Sequence, residues 1–95
     1  MENGRKAVLA RMTGQVQGVG FRFWTRSEAG KLVLTGWVRN EADGSVTALM
    51  VGSDAAVSAM LKNLWKGPPG ARVSSVTSED KIDSGEAGAV FRITD

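Results

Sequence analysis

Ninety-five residues with a formal net charge of +2 suffice for one domain with one modest core. The absence of cysteine and histidine excludes disulfides, thiolate nucleophiles, the usual general base and the commonest metal ligand, so Ser-His-Asp chemistry is unavailable. Twelve Lys/Arg against ten Asp/Glu is too even a balance to imply nucleic acid.

The opening Met1-Glu2-Asn3-Gly4-Arg5-Lys6 is followed by a short apolar run broken at Arg11. Neither a secretion signal nor a membrane span is expected, and the location expected by default is cytoplasmic. Val8, Ala10 and Met12 alternate with Ala7, Leu9 and Arg11, the period of a strand with one face on a core. That strand runs into Gly14-Gln15-Val16-Gln17-Gly18-Val19-Gly20-Phe21-Arg22, where a helical pattern starts. Its glycines free the backbone to turn amides inward, and a helix start adds unpaired N–H groups and a positive dipole end. Such a loop is a ready anion site. Arg22 falls in the first helical turn, where side chains lean toward the N-terminus, and its fork suits a phosphate or carboxylate. A tight turn beside a surface arginine is the plainer alternative, and the spacing alone leaves both open. No Gly-Lys-Ser/Thr follows and Gly-x-Gly-x-x-Gly is absent, so neither a nucleoside triphosphatase nor a dinucleotide site is expected. Residues 1–47 carry seven Lys/Arg against four Asp/Glu, whereas 48–95 carry five against six, so the positive excess surrounds this loop.

From Phe21 onward, Phe21, Thr25, Ala29 and Leu32 lie within about 80° of one another on a helix, with Trp24 at the core edge. Leu34 to Asn40 is rich in strand formers, Glu41-Ala42-Asp43-Gly44-Ser45 carries an Asp-Gly hairpin signal, and Val46 to Val51 returns antiparallel. Asn40 is the last strand residue before the turn, and from composition its side chain is expected to start the turn by bonding its own backbone. Ser53-Asp54 caps a second helix in which Val57, Met60, Leu61, Leu64 and Trp65 form a stripe, with Met60 and Trp65 expected in the core. Lys62 and Lys66 occupy its last turn and Gly67-Pro68-Pro69 stops it. Arg72 to Ser78 reads as a polar strand near a sheet edge and Glu79 to Gly88 as a charged connection. Val90 to Thr94 closes the chain as a last strand with Phe91 and Ile93 toward the core. The order predicts an α+β, ferredoxin-like two-layer sandwich (βαββαβ). Two helices would lie on one face of a mostly antiparallel sheet of four to five strands, all in one domain over residues 1–95.

Gly14-x-Val16-Gln17-Gly18-Val19-Gly20-Phe21-Arg22 resembles the first signature of the acylphosphatase family, and Gly36-Trp37-Val38-x-Asn40 with Asp43-Gly44-x-Val46 resembles its second. The likeness continues through Gly67-Pro68-Pro69-x-Ala71-x-Val73 to the last strand. It implies that Gln15, Val16, Gln17, Gly18, Val19 and Gly20 cradle a phosphoryl group through backbone amides. By the same likeness Arg22 binds the phosphate, and Asn40 orients the attacking water rather than serving only the turn. The activity implied is hydrolysis of a small-molecule acyl phosphate to a carboxylate and inorganic phosphate. No cofactor, metal, nucleic acid or membrane is expected, and the expected state is a monomer. Two positions depart from the family pattern. Val33 stands where glycine is common, which strains the chain if that backbone is left-handed, and Thr47 stands where glutamate is frequent. One rival is a non-catalytic acylphosphatase-like interaction module of the kind found inside larger maturation proteins, against which intact Arg22 and Asn40 speak. The other is an RNA-binding ferredoxin-like domain, which needs exposed strand aromatics where this chain offers only Trp37 and Phe91. Glu41 or Asp43 would be the candidate if the water needed a carboxylate base, but an exposed hairpin turn keeps carboxylate pKa values ordinary.

Overall fold

Alternation in the first apolar segment produces β1 (Arg5–Gln15), with Val8, Ala10 and Met12 fully buried on one face. These belong to a computed structural model that describes residues 4–94; Met1 to Asn3, part of the opening stretch considered above, and Asp95 lie outside it. The chain continues through α1 (Phe21–Lys31), β2 (Thr35–Asn40), β3 (Val46–Ser53), α2 (Asp54–Lys66), β4 (Arg72–Asp80) and β5 (Phe91–Ile93). The sheet order is β4-β1-β3-β2-β5, antiparallel throughout except where β5 runs parallel to β2. Both helices pack on one face of the sheet, as the predicted split plan requires, and β4 takes an edge. β4 also runs two residues further than its pattern predicts, through Glu79 and Asp80. No helix among the described residues is long and apolar enough to cross a membrane.

The register brings one end of three strands together. Met12 on β1 pairs with Val46 on β3, and Val46 pairs with Asn40 on β2. The loop that leaves β1 and the hairpin that follows Asn40 therefore emerge side by side. Under the helices the core joins Val8, Ala10, Met12 and Val38 from the strands to Phe21, Val57, Met60 and Leu64 from α1 and α2. Burying each of these side chains larger than alanine is worth about 1.5–3 kcal/mol, which helps hold the strand ends in this register.

Trp65 departs from expectation: it is 52% exposed rather than core. At about 100° per residue, the buried Ala56, Val57, Met60 and Leu64 centre on a direction about 125° away from Trp65. The sheet meets α2 on the Ala56–Met60 side of the stripe, so its opposite flank faces water. A second apolar cluster lies on the face away from the helices, where Ala7, Trp37, Leu49 and Val51 are closed over by Ala87. The connection after β4 is held there by the Lys81 amide, which donates to Ala7 O (2.8 Å), and by Arg92 Nη1, which donates to Ala87 O (2.8 Å). Trp37 is 8% exposed and carries the Arg39 guanidinium 4.5 Å from its ring centre. Phe91 is buried as well, so neither strand aromatic offers the open face that RNA stacking needs.

Helix α1 ends in a Schellman motif, with the Leu34 amide donating to Ala29 O (2.9 Å) and the Val33 amide to Gly30 O (3.1 Å). Val33 occupies its left-handed position with φ 57, alone among the described non-glycine residues in having a positive φ. It is 84% exposed, so its isopropyl group contributes little burial in return. A β-branched residue held there is strained by about 1–2 kcal/mol, against about 0.4–1 kcal/mol for the freedom glycine adds to the unfolded chain. Val33→Gly is expected to raise the melting temperature by a few degrees. A lower melting temperature would show that the valine is not strained.

Candidate active site

The first glycine of the loop motif serves strand packing. Gly14 has φ 116 at the register shift between β1 and β4, and a Cβ there would lie 2.2 Å from Arg72 O. Gln15 is still in β1, paired with Arg72, and Val16 turns down into the core. Gly18 (φ 76) and Gly20 (φ 77) shape the turn itself, and a Cβ on either would meet nothing within 4 Å. Gly20 precedes α1, whose first backbone bond runs from the Trp24 amide to Gly20 O (3.0 Å). The amides of Phe21, Arg22 and Phe23 are thus the first-turn donors that a helix cannot pair within itself.

Val16, Gly18, Gly20, Phe21, Arg22, Phe23 and Asn40 line one cleft of about 130 Å³. That is below the roughly 300–1,000 Å³ of clefts that enclose drug-sized ligands, and it suits a small anionic group. A wider depression of about 250 Å³ on the other face is lined by Leu9, Arg11, Thr47, Thr77, Ser78 and Glu79, with neither a glycine turn nor a helix start.

Of the residues expected at the site, Val16, Gly18, Gly20, Arg22 and Asn40 share the cleft, while Gln15, Gln17 and Val19 do not line it. Val19 packs against the main core. The Gln17 side chain points at the hairpin, its Nε2 donating to Glu41 O (2.9 Å) and Ser45 O (2.8 Å). Phe21 and Phe23 line the cleft without having been expected there. The signal that could have found them is their place in the first turn, because an amide's availability depends on position and not on the side chain. Phe23 is 63% exposed, with the Arg26 guanidinium 5.3 Å from its ring centre.

The hairpin that carries Asn40 is closed by other groups. The Glu41 amide donates to Ser45 O (2.8 Å), and Asp43 Oδ1 accepts from the Ser45 amide (3.0 Å) and hydroxyl (2.6 Å). Asp43 therefore does what composition offered to Asn40. Glu41 accepts from Arg39 Nε (2.8 Å) and from the Thr47 hydroxyl, and Asp43 also pairs with Arg11. The Arg39 guanidinium and the Thr47 hydroxyl hold the Glu41 carboxyl below the usual carboxylate range. The Ser45 hydroxyl and amide, with Arg11 beside them, do the same for Asp43. Arg39 stacks on Trp37 and Thr47 lines the depression on the far face, so the Glu41 carboxylate is drawn away from the cleft.

A family model described as acylphosphatase matches residues 8–93. The chain is similar to the acylphosphatase of Sinorhizobium medicae, 64% identical over 94 residues that cover 99% of each sequence. It is also similar to that of Rhizobium meliloti, 63% identical over 94 residues, 99% of this chain and 98% of the relative. Its fold superimposes on the structure of an acylphosphatase from Coxiella burnetii with a TM-score of 0.90, at 35% identity over 96% of this chain and 94% of that one. Set beside a glycine turn, a helix start, an arginine and an asparagine around one small cleft, these matches place the chain in the acylphosphatase family, as an enzyme.

Proposed function

We propose that the chain cleaves the carboxyl–phosphate bond of acyl phosphates by direct attack of a water oriented by Asn40. In this scheme Arg22 and the backbone amides of the loop between β1 and α1 and of the first turn of α1 hold the phosphoryl group. The observation that carries the reading is that Arg22, Asn40, the glycine turn and the helix start meet at one cleft sized for a small group. Water oxygen bonds to phosphorus while the bond from phosphorus to the acyl oxygen breaks. The acyl group leaves as a carboxylate, and the proton lost by the water passes to phosphate or solvent. A leaving group whose conjugate acid has a pKa near about 4 needs no general acid, so positioning and charge stabilisation suffice. In this scheme charge spread over the phosphoryl oxygens falls to Arg22 and to the loop and first-turn amides. Among the described residues no group of three or more Asp or Glu could hold a metal, and the scheme draws its positive charge from Arg22 and the helix start.

The test is hydrolysis of acetyl phosphate beside a phosphate monoester, with chelator present. Activity on the acyl phosphate alone is expected, and comparable rates on both would overturn the reading. Asn40→Ala is expected to lower turnover by on the order of 100-fold while leaving inhibition by inorganic phosphate nearly unchanged, since the loop and Arg22 hold the phosphate. Loss of phosphate affinity in step with turnover would instead make Asn40 part of the phosphate cradle.

Turnover at saturating substrate is expected to be flat between about pH 5 and 8, because no group assigned a role titrates there. Glu41 and Asp43, with pKa values lowered in the folded state, are already ionised in that window. Their contribution to stability is present above the ordinary carboxylate pKa and is lost as pH falls through the lowered folded values. A limb near neutrality that disappears in Glu41→Gln or Asp43→Asn would show a carboxylate base at work.

A further inference from the structure

We propose that Gln17 is a positioning residue whose side-chain amide sets the placement of Asn40 relative to the phosphate loop, an inference that rests on the hydrolytic reading above. Its Nε2 carries two hydrogens and meets two carbonyl oxygens, Glu41 O at 2.9 Å and Ser45 O at 2.8 Å. The acceptors themselves orient the amide, because the opposite flip would set its oxygen against both carbonyls. Those carbonyls belong to the two residues that close the neck of the hairpin, where the Glu41 amide donates to Ser45 O (2.8 Å). Glu41 directly follows Asn40, so one of the two bonds holds the peptide next to the water-orienting residue.

The strand pairing that aligns these segments ends at Met12 and Asn40, both opposite Val46. Beyond it, among the described residues, no backbone hydrogen bond joins 16–20 to 41–45. The loop itself contains Gly18 and Gly20 in open space, and only Val16 and Val19 anchor it to the core. The Gln17 amide is thus the hydrogen-bonded strut across the gap. A displacement of about 1 Å at a reacting centre can cost roughly 100-fold in rate, so a strut here has catalytic consequences without touching substrate. Glutamine fits this place where its nearest relatives do not. Glutamate would face two carbonyl oxygens with negative charge, and asparagine is one methylene too short to reach both.

The experiment is a double-mutant cycle on the full chain with acetyl phosphate as substrate and inorganic phosphate as inhibitor. Gln17→Met keeps the length and removes both donors. It is expected to lower kcat about 10-fold or more with phosphate inhibition changed less than about threefold, and to lower kcat little further in the Asn40→Ala background. Equal losses in both backgrounds, or phosphate affinity falling as far as kcat, would assign Gln17 to general support of the loop and overturn the proposal. If Gln17→Met does not fold, Gln17→Asn must show the same pattern. A wild-type chain inactive on acetyl phosphate refutes the hydrolytic reading, and Asn40→Ala without effect refutes the role of Asn40. Either takes this inference with it, whereas additivity with a damaging Asn40→Ala refutes the Gln17 strut alone.

Discussion

Arg22→Lys is expected to lose on the order of 100-fold or more in turnover on acetyl phosphate, the loss typical of removing one preformed electrostatic donor. Arg22 is half-buried in the first turn of α1 and lines the same cleft as Gly18, Gly20 and Asn40. Helical side chains lean toward the N-terminus, which for a first-turn residue is the direction of the loop. Lysine keeps the positive charge at this place, so a defect in the variant would not be a loss of charge. What it loses is the planar fork, which in the proposed scheme bonds two phosphoryl oxygens at once and fixes the orientation of the transferring group. Inhibition by inorganic phosphate should weaken together with turnover, unlike the pattern expected of Asn40→Ala. The measurement is kcat and the phosphate inhibition constant side by side. Near-normal turnover would refute the clamp.

The largest stability effect is expected from Gly36→Ala, a change of one methyl group far from the cleft. Gly36, the second residue of β2, has φ 137, and a Cβ there would lie 1.8 Å from Leu49 O and 2.8 Å from Leu49 C. Both are backbone atoms of the neighbouring strand, so no side-chain rotation relieves the overlap. The residue is pinned on both sides, opposite Met50 on β3 and Phe91 on β5, and its amide donates to Val90 O (3.3 Å). To admit the methyl group, β2 must part from β3 where the register that places Asn40 is set. A cost above about 3 kcal/mol is expected, which in a domain of this size lowers the melting temperature by at least about 12 °C. A shift of only about 2 °C would mean that the strands yield more easily than a packed sheet should.

Much of the fold was legible because its signals are local. The Ser53 cap, whose hydroxyl accepts from the Ala56 amide (3.1 Å), and the stop at Gly67 with φ 65 both rest on the chemistry of adjacent residues. Val33 was flagged by the family resemblance, as a valine where glycine is common, and the end of α1 does place it in a left-handed conformation. Arg22 and Asn40 could be named as candidates for a different reason. Their motifs resemble those of a known family, and each motif lies within one strand-turn segment. Composition by itself pointed Asn40 toward the turn.

What the sequence by itself determined, then, was the order of strands and helices and the glycine turn that leads into a helix beside an arginine, because each depends on contacts among near neighbours in the chain. Only the tertiary structure decided how those pieces are used. Gly14 serves the approach of β4 rather than the loop, since its Cβ would strike Arg72 O from 58 residues away in the chain. Trp65 faces water because the sheet meets α2 on the other side of its stripe, and Ala87 closes the second cluster because the charged connection folds back across the sheet. Asp43 closes the turn that Asn40 could have closed, and Gln17 turns from the cleft to bond two carbonyls in the hairpin. Periodicity shows which residues share a face. It does not show which distant backbone atoms that face will meet, because the meeting is set by strand register and by the packing of the whole sheet.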